Sequence, residues 1–129
     1  MSADIRDILH TPYRFGGRTV GVEIDCLGVV SELARRRGLP APDGWPSIRE
    51  DWERGRVEAA TGFPAGWQRQ APPHQLQDGD VLVFLRGGRA GCAIVHDGLV
   101  ATAEPGLGPY CTPLARWSIP PAEVWRFAP

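Results

Sequence analysis

The residues of this 129-residue chain best suited to chemistry surround one cysteine. An aromatic and glycine-rich stretch, Pro12-Tyr13-Arg14-Phe15-Gly16-Gly17-Arg18, leads into Ile24-Asp25-Cys26-Leu27-Gly28-Val29-Val30. That order predicts a loop that delivers Cys26 to the first turn of an apolar helix. A thiol placed there meets unpaired backbone N–H groups and the positive end of the helix dipole, which favour a thiolate nucleophile. Taken alone, a buried cysteine is more often a small inert hydrophobe. The loop–helix context, with Asp25 as cap, tips the expectation toward a nucleophile position. The paired glycines do not read as a phosphate loop, because no Lys-Ser/Thr follows and no strand precedes them.

The elements that must hold this cysteine can be read from periodicity. Ile5, Ile8 and Leu9 share one face of a short helix over 3–9, which Pro12 ends. Residues 12–24 form a loop. A helix runs from Cys26 to Arg37, with Asp25 as N-cap and Gly38 as the stop after its C-terminus. Arg35, Arg36 and Arg37 fall in its last turn, where cations suit the dipole. After a linker from Pro40 to Pro46, Ser47 and Glu50 make a capping-box pattern, and a second helix is predicted to about Ala60. Residues 61–75 read as irregular, with Trp67 as a plug. The period then changes. Strands are predicted over Asp80–Leu85, Cys92–Val95, Leu99–Ala103, Tyr110–Leu114 and Glu123–Phe127, with Asp97-Gly98 as a hairpin turn. Helices followed by a meander of about five strands define an α+β class, in one domain spanning 1–129.

Composition narrows the function. Fourteen basic residues against fifteen acidic ones argue against a nucleic-acid partner. No segment reaches membrane-spanning length, so no membrane insertion is expected. The first ten residues carry charges where a signal peptide needs an apolar run, which points to synthesis in the cytoplasm. Cys26, Cys92 and Cys111 form no CxxC pair or disulfide framework; free thiols are expected, with a Cys92–Cys111 bridge as the alternative. Asp78 and Asp80 flank Gly79 at a strand entrance and read as turn residues rather than metal ligands. No metal and no cofactor is expected. Trp67 and Trp117 are the candidates for exposed aromatic anchors at an interface.

The chain resembles the NlpC family of papain-like cysteine peptidases, which cleave peptide cross-links of bacterial cell walls. Four segments carry the resemblance in order: Thr11-Pro12-Tyr13-Arg14-Phe15-Gly16-Gly17, Asp25-Cys26-Leu27-Gly28-Val29-Val30, Leu76-Gln77-Asp78-Gly79-Asp80-Val81-Leu82-Val83-Phe84, and Ala93-Ile94-Val95-His96-Asp97-Gly98. The small size, the Asp-Cys-Leu-Gly form and the Val124-Trp125-Arg126-Phe127 ending are most similar to versions encoded with phage tails and gene-transfer particles. The resemblance implies a papain-like fold, with N-terminal helices packed on a C-terminal antiparallel sheet. It implies Cys26 as nucleophile and Tyr13 as an aromatic lining the site. It also implies a groove to which Arg14, Phe15, Gly17, Asp25 and Thr102 contribute.

The family's general base is a histidine opening the strand after the Gly-Asp-Val strand. Gly91 stands at that position, and the third polar position, often a His-Ala pair, falls at Ala101-Thr102. Both histidines are missing. His96 does not replace them. Residues 91, 93 and 95 of a strand face one side and 92, 94 and 96 the other, and five residues span about 16 Å. His96 is expected at the hairpin tip beside Asp97. His10 and His74 lie in loops, and Thr102 and Glu104 remain as polar candidates. The leading expectation is thus a degenerate NlpC-type domain with a binding or structural role and weak or no hydrolysis. Its expected setting is a phage-tail or tail-tip-like particle (virion), with other tail or particle proteins as partners. The alternative is an active peptidoglycan-cleaving endopeptidase or amidase, in which Cys26 uses a non-standard or partner-supplied base on a peptidoglycan peptide.

Overall fold

The structure, a computed structural model, describes residues 5–42, 63–86 and 89–129. Helix α1 (Arg6–Leu9) opens it, followed by a two-stranded hairpin, β1 (Arg18–Thr19) and β2 (Glu23–Ile24), and by helix α2 (Cys26–Arg36). Six further strands follow: β3 (Trp67–Arg69), β4 (Val81–Arg86), β5 (Arg89–His96), β6 (Leu99–Glu104), β7 (Gly108–Pro113) and β8 (Glu123–Phe127). They form one antiparallel sheet in the order β3-β8-β4-β5-β6-β7.

The expected papain-like α+β architecture is therefore corrected. The described molecule is mostly a six-stranded antiparallel sheet with two short helices, a small β-rich fold. Two local outcomes produce the difference. Residues 12–24 pair with one another as a small hairpin instead of remaining a plain loop. Trp67–Arg69, expected to be irregular, adds an edge strand beside β8, with Trp67 paired to Phe127 and Arg69 to Trp125. The helix expected over 47–60 lies outside the described residues.

Both faces of the sheet are covered, which explains why Val81–Phe84 is an unbroken apolar run rather than an alternating one. On one face, Val83, Cys92, Ile94 and Ala101 pack with Cys26, Val29, Val30 and Leu33 of α2. On the other, Leu82, Phe84, Ala93, Val100 and Val124 are covered by Leu76 and by Leu114, Trp117 and Ile119 of the segment after β7. Helix α2 lies against β5 and β6. Its C-terminus is closed by a Schellman arrangement: Gly38 takes φ +74°, and Leu39 N–H bonds the Ala34 carbonyl at 2.9 Å. No helix among the described residues is long and apolar enough to cross a membrane.

Candidate functional site

The loop before α2 is built around Asp25. Its carboxylate is buried and accepts three donors at 2.8 Å: Gly16 N–H, Gly28 N–H and the Arg18 Nη1, which reaches both oxygens. The Gly28 bond is the N-cap of α2. Arg18 also donates to the Gly17 carbonyl at 3.0 Å, so a single acid joins the loop, the hairpin and the helix start. Glycine is required at two points by close approach. A Cβ on Gly17 would lie 2.7 Å from the Glu23 carbonyl carbon, and one on Gly28 would lie 2.5 Å from Ile24 Cγ1. Gly17 thus acts by packing. Tyr13 is half-buried against the core and bridges to Ile24, Phe15 is half-buried, and Arg14 points outward to Glu23 at 3.5 Å.

Cys26 opens α2 and is 3% exposed. Cys92 of β5, 2% exposed, belongs to the same core cluster on that face of the sheet. Burial chiefly pushes the Cys92 thiol well above its ordinary range, with neighbouring Cys26 and Asp25 acting the same way and Arg18 against them. All three cysteines are free.

Gly91, where the resemblance places the catalytic histidine, lies on the opposite face of the sheet. It pairs with Phe84, and a Cβ there would sit 2.8 Å from two carbons of that ring. The correction follows from strand parity: a shift of one residue moves a side chain to the other face. The β5 residue on the face of Cys26 is therefore Cys92. Ala101 does share the face of Cys26, paired with Ile94 and Cys111. Thr102 does not. It is fully buried on the far side, where its hydroxyl donates to the Cys92 carbonyl at 2.7 Å and steadies that strand.

The histidines are elsewhere. His96 ends β5, its Nδ1 3.2 Å from Nη1 of Arg37, the C-cap of α2. The eleven residues of α2, at about 1.5 Å each, separate that end from Cys26 by roughly 16 Å. His74 Nε2 contacts the Gln70 carbonyl at 3.2 Å near β3, and His10 is exposed in the turn after α1. Among the described residues no hydrogen bond joins a histidine to Cys26. Glu104 bonds Arg86 and Tyr110 instead, away from the thiols. Asp80 holds Arg126 through both oxygens at 2.8 Å, and Asp78 accepts Gly98 N–H, which accounts for both as structural acids. Neither tryptophan is an exposed anchor: Trp67 is buried with its Nε1 on the Pro40 carbonyl, and Trp117 is half-buried edge-on to Phe84.

Sequence reasoning missed two residues of the site, Cys92 and Arg18. The alternation of β5 already put 92 on a different face from 91, and that parity was the signal for Cys92. Nothing in the pattern singled out Arg18. The arrangement presents a helix-opening thiol with a second buried thiol in the same core cluster, beside a buried carboxylate neutralised by arginine. No protein-family model matches the chain, and no curated protein matches it.

Proposed function

We propose that this chain is a non-hydrolysing relative of the NlpC peptidases that works by binding, as a component of a phage-tail or tail-tip-like particle. The observation that carries the first half is the surroundings of Cys26. A cysteine peptidase needs an imidazole to take the thiol proton and return it to the leaving group. Among the described residues no histidine bonds Cys26, and the β5 residue on its face of the sheet is Cys92, a buried thiol whose own proton is held tightly. The resemblance carries the second half: other tail or particle proteins are the proposed partners, and the peptide of peptidoglycan is the proposed ligand where one is bound. The opposing reading, an active endopeptidase or amidase with a base lent by a neighbouring subunit, has the intact Asp25–Cys26 helix start in its favour.

The test is hydrolysis of purified peptidoglycan, followed by release of new amino groups, for the wild type and Cys26→Ser. Release equal to a no-protein control is expected for both. Cys26-dependent release would overturn the proposal.

A further inference from the structure

The sheet divides at one end. Strands β5 and β6 pair only from His96 with Leu99 to Ile94 with Ala101, although β5 begins at Arg89 and β6 continues to Glu104. Over those ends each strand stays with its other neighbour: Gly91 pairs with Phe84 of β4, and Ala103 with Pro109 of β7. A cleft of about 160 Å³ opens between the two hairpins, with Phe84, Arg86, Ala90 and Gly91 on one side and Ala103 and Glu104 on the other. Its depth is apolar and recessed, since Phe84 is 4% exposed and both alanines less. Residues 90, 91 and 103 carry a methyl group or none, which leaves room beside the Phe84 ring. A space of that size admits a ring the size of benzene.

Opposite charges stand at its mouth. Arg86 Nη1 of one hairpin bonds Glu104 Oε2 of the other at 2.7 Å. The Tyr110 hydroxyl donates to the same oxygen. Burial chiefly, and Glu104 with it, push that phenol up to about 12, so it remains a donor at neutral pH. Among the described residues nothing donates to Glu104 Oε1, and Nε and Nη2 of Arg86 have no acceptor. A singly charged ligand would leave this neutral pair unbalanced, whereas one carrying both a carboxylate and an ammonium satisfies each member. We propose that the cleft binds a free α-amino acid with an apolar side chain. The side chain lies beside Phe84, the carboxylate takes the outer nitrogens of Arg86, and the ammonium donates to Glu104 Oε1.

This inference is independent of the functional proposal, since hydrolysis by Cys26 would overturn that proposal and leave the cleft standing. The test titrates the ¹⁵N-labelled full chain with L-phenylalanine, 3-phenylpropionate and 2-phenylethylamine, which share a ring but carry both charges, the negative one or the positive one. Saturable shifts of the Phe84, Ala90, Gly91 and Ala103 amides are expected with L-phenylalanine, at a Kd of about 1 mM for a ligand of that size. Each singly charged probe should bind about tenfold more weakly. Arg86→Met removes an exposed side chain and should weaken L-phenylalanine about tenfold. It should also tighten 2-phenylethylamine, whose ammonium then meets an unpaired carboxylate, a gain that structural damage does not produce. If Arg86→Met fails to fold, the comparison of the three probes on the wild type decides by itself. No saturable shift at these amides up to about 20 mM L-phenylalanine, equal binding of the three probes, or unchanged L-phenylalanine binding by folded Arg86→Met would each overturn the proposal.

Discussion

Replacing Asp25 by alanine tests the account of how the thiol is positioned. The side chain is 4% exposed and holds Gly16 N–H, Gly28 N–H and Arg18 Nη1. Losing the N-cap costs about 1 kcal/mol. Breaking a fully buried ion pair by removing one partner costs about 3–5 kcal/mol. Arg18 is 34% exposed, however, so water recovers part of its solvation and about 2 kcal/mol is the appropriate share. The sum is about 3 kcal/mol, a large fraction of the roughly 5–15 kcal/mol that holds a domain folded. Urea unfolding followed by tryptophan fluorescence would register it as a fall in midpoint of about 1.5 M at unchanged slope, for a slope near 2 kcal/mol/M. Asp25→Asn keeps the cap acceptor and loses the charge, so it should fall between the two. In a double-mutant cycle with Arg18→Met, the pair should show a coupling of about 1–2 kcal/mol. A loss below about 1 kcal/mol for Asp25→Ala, or no coupling to Arg18, would refute the idea that this one acid joins loop, hairpin and helix.

Cys92→His should put an imidazole on the face of Cys26 and raise its alkylation rate by iodoacetamide near neutral pH about tenfold. Gly91→His should not, because its side chain is directed at Phe84; equal activation by both would contradict the assigned register. Gly28→Ala places a Cβ 2.5 Å from Ile24 Cγ1 and 2.7 Å from the Gly17 carbonyl oxygen. Overpacking of about 1–3 kcal/mol should outweigh the roughly 1 kcal/mol gain in helix propensity, and a rise in melting temperature would count against the packing described. Burial chiefly lowers the His96 pKa from 6.5, with Arg37 acting the same way against Asp97 and Asp78. The unfolded chain therefore takes up a proton first as the medium is acidified. Stability from this group is intact above pH 6.5 and is lost as pH falls from there to the lowered folded value, so urea midpoints should drop over that interval in the wild type and less in His96→Asn.

Local sequence signals described the helix start well. Asp25 caps α2, Gly38 closes its other end, and the strands β4 to β8 lie where apolar runs and turn residues placed them, to within two residues except that β5 starts three residues earlier, at Arg89. These features depend on neighbours a few residues away, so they are written in short segments. Strand β3 was hidden for the opposite reason. Three residues, Trp67-Gln68-Arg69, carry little pattern of their own and become a strand only because the β8 edge offers backbone partners. The two-residue strands of the 12–24 segment, fixed by Asp25 and by glycine close contacts, were equally silent.

The sequence by itself determined that a cysteine opens a capped helix, that it holds three histidines and two further cysteines, and that no charge excess invites nucleic acid. Only the tertiary structure decided which residue faces that cysteine. Along a strand each step of one residue reverses the side chain, so Gly91 and Cys92 differ by a whole face of the sheet. The pairing of Phe84 with Gly91 and Val83 with Cys92 turns the glycine toward one core and the thiol toward the other, where Cys26 waits. That choice rests on register between distant segments, a long-range property that a linear pattern does not carry.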